Sequence, residues 1–551
     1  MVWTKQRSAR TVVRAVFTSA LFTAAAFGQA SGTQANGKKF YADDPLLQDP
    51  APWAVKHVEK RDVDDLYEFL DNSFEVPHRE EKVLKSGPHP AVDTNTLGNV
   101  PDSPWYTNRH YYHRMSIEEL KRGPGNSTPP AGQWRVVSAK TNGVSPGFVI
   151  EDEHKNRYVV KLDPPDDPEL ASAADVIGSK IFYALGYNTP ENYVVHFHRE
   201  DLEVAEGVKF TDANGRKRPL TGHVLDDILG AQPKGPDGAY RAMASRYIAG
   251  NLVGPFSYEG TRKDDPNDIY PHQDRRELRG LSVFAAWLDH HDTRSINSMD
   301  SLVEENGVPY LKHYLLDFGS ILGSNGTGPK HPWSGHEYTI DGKGAVIQLA
   351  TFGFDVPRWA RTHYPNYAGV GRFDSWAFDP LSWKPNYPNP AFLLTDDADA
   401  FWAAKQVAAF TDDEIRALVE TGEYSDPRAT QWIADSLIKR RDKIAQAWFS
   451  RALPLDKFRV TGGKLQYQDP GANLGIGKGR EYSVSWASWD SAGRASAIAD
   501  ATGWQVPAFR GDTWYLAATI KPAGNGSPQD DPVVVYLRRG QQGLEVVGVD
   551  R

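Results

Sequence analysis

His290-His291-Asp292-Thr293-Arg294-Ser295-Ile296-Asn297, with Asp317-Phe318-Gly319 twenty residues past Asn297, decides how this chain is read. Leu278, Leu281, Phe284, Ala285 and Leu288 recur at helical intervals just before it. Between its two halves lies Glu305-Asn306-Gly307, and Asn-Gly between apolar runs is a strong hairpin signal. The second strand of that hairpin, Tyr310 to Leu316, delivers Asp317 at its end. Phosphoryl transfer needs one carboxylate to orient an attacking hydroxyl, and a carboxylate with an amide to hold Mg²⁺ against phosphates. Asp292 suits the first role; Asn297 and Asp317 suit the second.

Upstream, the order of elements fits. Trp134 to Val137, Phe148 to Ile150 and Tyr158 to Leu162 read as three strands. The loop Thr141 to Gly147, with Gly143 and Gly147, joins the first two. Lys161 lies near the end of the third, where its ammonium can reach phosphates. Leu170, Ala174, Ile177, Ile181 and Leu185 mark a helix that Gly186 ends, and Asn192 to Phe197 is a further strand. Later, three helices follow one another, over about Asp396–Phe410, from a capping box at Thr411 and Glu414, and from Asp426-Pro427 to about Phe449.

In this order the chain resembles the protein-kinase-like superfamily, over roughly residues 133–450. His290 to Asn297 matches the HxDxxxxN catalytic loop in spacing, Asp317-Phe318-Gly319 its DFG, and Val159-Val160-Lys161 its strand lysine. The likeness is nearest to atypical and secreted kinase-like proteins, and Arg275-Arg276-Glu277-Leu278-Arg279-Gly280 looks like an exported bacterial family. The resemblance implies a two-lobed α+β fold, ATP and Mg²⁺ as cofactors, and a hydroxyl-bearing acceptor, whether protein, sugar or small alcohol. It makes Asp292 and Lys161 catalytic, and Gly143, Gly147, Lys161 and Glu169 nucleotide-binding. Asn297 and Asp317 become metal ligands. The helix acid that should pair with Lys161 is Glu169 or, six residues on, Asp175. Three features depart from signalling kinases: two glycines instead of GxGxxG, His291 in place of the loop arginine, and no Ala-Pro-Glu after Asp317.

Each motif is common singly; the joint order is what discriminates. Two other functions compete. Asp289-His290-His291 resembles a phosphoesterase metal motif, although a helix rather than a strand precedes it. A non-catalytic, kinase-like binding protein of the cell envelope is the other, since ATP is scarce outside the cytoplasm. His110, His113, His196 and His198 have short spacings open to metal, but solvated faces explain them as well. Trp333, Trp359, Trp376 and Trp383 could form a carbohydrate or peptide platform, or pack under a long loop.

The composition agrees with a globular chain: 551 residues, 40% hydrophobic, 24% charged. With 62 Lys+Arg against 71 Asp+Glu the net charge is -9, which disfavours nucleic-acid binding. The absence of cysteine excludes disulfides, thiolate metal sites and cysteine nucleophiles. Residues 1–30 read as a signal peptide, with Lys5, Arg7, Arg10 and Arg14, the apolar stretch Ala15 to Phe27, then Gly28-Gln29-Ala30. Losing those four cations leaves 58 Lys+Arg against 71 Asp+Glu, or -13, on a secreted or periplasmic protein with no stable membrane insertion. Residues 31–130 read as an irregular extension containing one helix, Asp62 to Phe74, with Leu66, Phe69 and Leu70 on one face. Residues 131–455 form the kinase-like domain, its lobes meeting near 220 (131–220 and 221–455), and 456–551 a small β-rich domain. The mature protein should therefore begin near Ser31. Mass spectrometry of extracytoplasmic protein checks this, and an intact Met1 would show an anchor instead.

Overall fold

The computed structural model describes residues 40, 46–49, 51–125, 128–140, 147–211, 216–341, 356–477, 480–490, 494–509, 513–523, 532–540 and 543–551. The proposed signal peptide and Gly143 lie outside the described residues. Among the described residues no helix is long and apolar enough to cross a membrane.

The chain opens with an arm that carries α1 (Asp65–Leu70), one π-helical turn, α2 (Val76–Lys85) and α3 (Ile117–Arg122). Strands β1 (Trp134–Lys140), β2 (Gly147–Glu151) and β3 (Arg157–Leu162) follow as an antiparallel meander. Then come α4 (Leu170–Ala184), β4 (Asn192–Phe197) and β5 (Leu202–Val204). A small excursion, β6 (Lys209–Thr211), β7 (Lys217–Pro219) and α5 (Gly222–Gly230), leads to β8 (Tyr240–Arg246). The upper sheet has the order β4-β8-β3-β2-β1-β5. Strand β8, inserted between β4 and β3, lies beyond residue 220, so the sheet lobe extends further along the chain than the sequence reading placed it. Alternation sets the faces: Tyr158, Val160 and Leu162 of β3 are buried in the sheet's own core, which turns Lys161 to the other side. Gly147 stands opposite Lys161, and a Cβ there would meet the Val160 carbonyl at 2.6 Å, so only glycine fits.

The second lobe is built on β9 (Asn251–Gly254), α6 (Arg276–Leu288) and the hairpin β10 (Ser298–Glu305) and β11 (Val308–Leu315). The Asn306-Gly307 turn has positive φ at both residues, as its chemistry requires. Short α7 (Pro390–Leu393) precedes α8 (Asp397–Val407), α9 (Asp412–Glu420) and α10 (Pro427–Phe449). Thr411 and Glu414 form the expected capping box, and Asp426 caps α10. One large apolar core joins α4, α6, α8, α9 and α10. A hairpin, β12 (Asp456–Thr461) and β13 (Lys464–Gln468), leads to a five-stranded C-terminal sheet. Its strands β14 (Tyr482–Trp489), β15 (Ala495–Thr502), β16 (Tyr515–Pro522), β17 (Val533–Gly540) and β18 (Gly543–Asp550) lie in the order β15-β14-β16-β17-β18. The molecule is thus a two-lobed α+β protein with an N-terminal extension and a β-rich C-terminal domain.

Buried arginines of α6 fasten the arm. Arg279 donates to the His89 carbonyl (2.8 Å) and pairs with Asp274 (2.8 Å), while Arg276 donates to the Gly98 carbonyl (2.8 Å) and pairs with Asp399 (2.9 Å). Buried guanidiniums need such saturation, because an unpaired one costs several kcal/mol. The run Arg275 to Gly280 is therefore architectural. Helix α1 differs from its sequence reading. Its apolar stripe is largely solvated, with Leu66 66% and Leu70 45% exposed, and only Phe69 packs, edge-on against Tyr387 at 5.2 Å.

Helix α4 passes close to the Asp317 turn because Gly178 has no side chain. A Cβ there would lie 2.6 Å from both Phe318 Cβ and Ile321 Cδ1. Gly to Ala inside a helix ordinarily stabilises by about 1 kcal/mol. Here the sign should reverse: Gly178→Ala should lower the thermal midpoint, whereas Gly230→Ala, in open space at the end of α5, should not. Differential scanning calorimetry of the two variants decides.

Candidate active site

Lys161 reaches from β3 to two carboxylates, Asp317 Oδ1 at 2.8 Å and Asp175 Oδ2 at 3.4 Å. Asp175 sits midway along α4, and its other oxygen accepts the Phe318 backbone N–H at 2.8 Å. One carboxylate thus ties the strand lysine to the Asp-Phe-Gly turn. Glu169, the first choice for this pairing, is not there. It occupies the N-cap of α4 with φ 71°, and its carboxylate accepts the Ser425 backbone N–H at 2.9 Å. The geometric reason is helical phase: six residues beyond Glu169, Asp175 faces the cleft, while Glu169 precedes the first turn.

Burial pushes the Asp175 carboxyl up to about 6, opposed by Lys161. Lys161 holds Asp317 below the ordinary carboxylate range, against partial burial. For Lys161 itself, desolvation favours the neutral amine, but the two carboxylates outweigh it and keep the ammonium above its ordinary value. Asp317 adopts a left-handed conformation, φ 56° and ψ 71°, which turns its half-exposed side chain into the cleft. Phe318 points the other way, fully buried and stacked on Phe182 at 5.0 Å. Burying a phenyl group contributes roughly 2–3 kcal/mol, enough to hold that turn.

The second half of the site is the loop after α6. Asn297 Nδ2 donates to the Asp292 carbonyl (2.7 Å) and to its Oδ2 (3.0 Å), which fixes the loop as one unit. The Leu316 N–H donates to the Asn297 carbonyl (2.9 Å), joining this loop to the strand that carries Asp317. Arg294 clasps Asp292 through Nε (2.5 Å) and Nη2 (3.3 Å) and reaches Asp65 of α1 at 2.6 Å. Glu68 of α1 accepts the Ser295 N–H at 2.8 Å. These contacts with the arm were not legible from spacing; Asp65 and Glu68 look like any acidic first turn of a helix.

Gly147, Lys161, Asp175, Asp292, Asn297 and Asp317 line one cleft of about 740 Å³ between the lobes. Among the described residues no group of three or more His, Cys, Asp or Glu could hold a metal by itself. The cleft instead offers Asp317 and, with its amide nitrogen committed to Asp292, the Asn297 carbonyl oxygen. Two oxygen ligands suit Mg²⁺, which keeps waters and takes the rest from substrate phosphates. Lys161 on the same wall suits a phosphate chain.

Asp289-His290-His291 is structural. Lys330 and the Trp383 indole N–H (2.9 Å) engage Asp289, and His291 Nε2 lies 3.2 Å from Asn325 Oδ1. Among the described residues these three side chains form no group that could hold a metal ion. His110 is buried beside Glu414 (3.4 Å), and His196 is exposed on β4. Trp333 and Trp359 stack on His331 and His336.

No protein-family model matches the chain, and no curated protein matches it. Among solved structures it is similar to the crystal structure of the Golgi casein kinase, with TM-score 0.28 and 10% identity over 73% of this chain and 96% of that one. The Golgi casein kinase with Mn/ADP bound gives TM-score 0.27 and 10% identity over 72% and 94%. Likeness of that degree assigns no activity, and the functional reading rests on the cleft.

His290 is buried between Phe182 (5.8 Å) and Phe318 (6.1 Å), and burial holds its imidazole down at about 4, against an ordinary 6.5. The unfolded chain takes up a proton below 6.5 that the folded chain refuses. Stability should therefore fall as pH drops from about 6.5 to 4, by on the order of 3 kcal/mol from this group. His290→Phe should flatten that slope. Urea midpoints at pH 7.5 and 4.5 for both proteins check it.

Proposed function

We propose that the protein is an exported, Mg²⁺-dependent phosphotransferase that moves the γ-phosphoryl group of ATP to an alcohol. The observation that carries this reading is the convergence of Lys161, Asp175 and Asp317 with Asp292 and Asn297 on one interlobe cleft. Lys161, positioned by Asp175, binds phosphate oxygens. Asn297 and Asp317 hold Mg²⁺, which when bound neutralises charge on the phosphates. Asp292 accepts a hydrogen bond from the acceptor hydroxyl and takes its proton as that oxygen bonds to phosphorus. The bond from phosphorus to the ADP oxygen breaks in the same displacement. The acceptor belongs to the class of protein, sugar or small-molecule hydroxyls.

One observation favours a second reading, a non-catalytic binding protein of the envelope. Both Asp292 oxygens are already engaged, by Arg294 and Asn297. Oδ2 accepts from both Arg294 and Asn297, so an acceptor hydroxyl is left only the lone pair on Oδ1 that Arg294 does not use.

Two variants separate the readings. Asp292→Asn should keep Mg-ATP affinity within a few-fold and cut transfer from labelled ATP by roughly 10²–10⁴. Asn297→Ala should weaken both binding and transfer. Calorimetric titration with Mg-ATP and transfer to fractionated extracellular material measure the two quantities. Equal loss of nucleotide binding in both variants would show the roles misassigned. Binding without transfer in the parent would favour the second reading.

A further inference from the structure

A second cavity, about 610 Å³, lies in the helical lobe and shares no lining residue with the interlobe cleft. One wall is a single face of α10, on which Arg428, Trp432, Asp435 and Lys439 follow at helical spacing. The opposite wall is the segment 361–376, with Arg361, Tyr367, Asp374 and Trp376. The aromatic groups are set. The Trp432 indole N–H donates to the Phe373 carbonyl at 2.8 Å, which fixes its ring. Arg428 lies over the Tyr367 ring at 4.6 Å and is held bidentately by Asp426. Trp376 is 49% exposed, with Arg358, outside the lining, over its ring at 4.4 Å.

The charges differ from those of the chain as a whole. Arg361 and Lys439 are exposed and have no acidic partner among the described residues. Asp435 is already neutralised by Arg416 at 2.9 Å, and the Asp374 carboxylate accepts the Ala377 N–H at 2.7 Å. The cavity therefore presents two unsatisfied cations on a protein whose net charge is -9. Short polar groups, Thr362, Ser375, Gln431 and Ser436, complete the lining.

We infer that this cavity binds an acidic saccharide, a sugar ring that carries a carboxylate or sulfate. Indole and phenol surfaces pack against the C–H face of a pyranose, whose burial they reward while its hydroxyls stay hydrogen-bonded. Arg361 and Lys439 receive the anionic group, and the hydroxyl, amide and carboxylate lining accepts and donates to the sugar hydroxyls. Asp374, which has no cationic partner at hydrogen-bond distance among the described residues, disfavours a densely charged ligand such as a polyphosphate, which would place several negative charges beside it. One negative charge per ring uses both the cations and the carboxylates. The site does not depend on phosphotransfer; it would hold the protein to a polysaccharide whether or not the interlobe cleft turns over.

The test is calorimetric titration of the whole protein with a ι-carrageenan hexasaccharide, which carries one sulfate per ring, an oligogalacturonate, a neutral oligosaccharide of equal length, and tripolyphosphate. One or both acidic oligosaccharides should bind, identifying sulfate or carboxylate, and the neutral one at least roughly tenfold more weakly. Trp376→Ala and Lys439→Ala, both at exposed positions that leave the core intact, should each weaken binding roughly tenfold. Neither should alter Mg-ATP affinity, which keeps this outcome separate from that of the phosphotransfer reading. Absence of binding, or binding that survives Trp376→Ala, would overturn the inference. Competition by tripolyphosphate or RNA at equal strength would also overturn it, because charge alone would then explain the site.

Discussion

The bond between Lys161 and its two carboxylates is the constraint on which the rest depends. Lys161 belongs to the sheet lobe, Asp317 to the end of a strand in the helical lobe, and Asp175 to the helix that lies between them. A buried ammonium with one carboxylate nearly balances; with two, the centre carries an excess negative charge. That excess is stable only where the second carboxylate reaches solvent or a cation, and Asp317 is half exposed. The approach of the two lobes and the aim of the lysine are thus one electrostatic arrangement. The Asp175 bond to the Phe318 N–H adds the direction of the turn, and Gly178 supplies the clearance that lets α4 come close enough to make it.

A second constraint comes from the arm. Two buried arginines of α6 are saturated by carbonyls and carboxylates, some of them from residues 89–98. The same arm continues from α1, whose Asp65 and Glu68 hold Arg294 and the Ser295 N–H of the loop after α6. The extension is bound at both the rear and the mouth of the helical lobe. It therefore belongs to the folding unit of that lobe, and α1 forms part of the cleft wall.

Much of this was legible in the sequence. The strands around Lys161, the helix ended by Gly186, the Asn306-Gly307 hairpin and the capped late helices all rest on local chemistry: alternation, turn residues and caps. The spacing of Asp292, Asn297 and Asp317 survives folding because a short loop and a hairpin determine it. What was not legible depends on long-range geometry. The choice of Asp175 over Glu169 is a matter of where the helix begins relative to the cleft. The insertion of β8 between β4 and β3 follows from pairing with β3 across eighty or more residues, and no local signal marks it. The apolar stripe of α1 was read correctly as periodic, but periodicity does not say that acidic end groups, and not leucines, would dock the helix.

The left-handed turn at Asp317 has an evolutionary consequence. At φ 56° most side chains are strained, but asparagine and glycine accept that conformation readily. Each is one nucleotide change from an aspartate codon. Either would keep the turn, leave Phe318 in its socket and leave Lys161 paired with Asp175. The lineage can therefore lose this carboxylate without passing through an unfolded intermediate. The charge of the cleft and the folding of the turn are uncoupled at this residue. An aspartate kept at this position is therefore explained by what its carboxylate meets in the cleft and not by the demands of the turn.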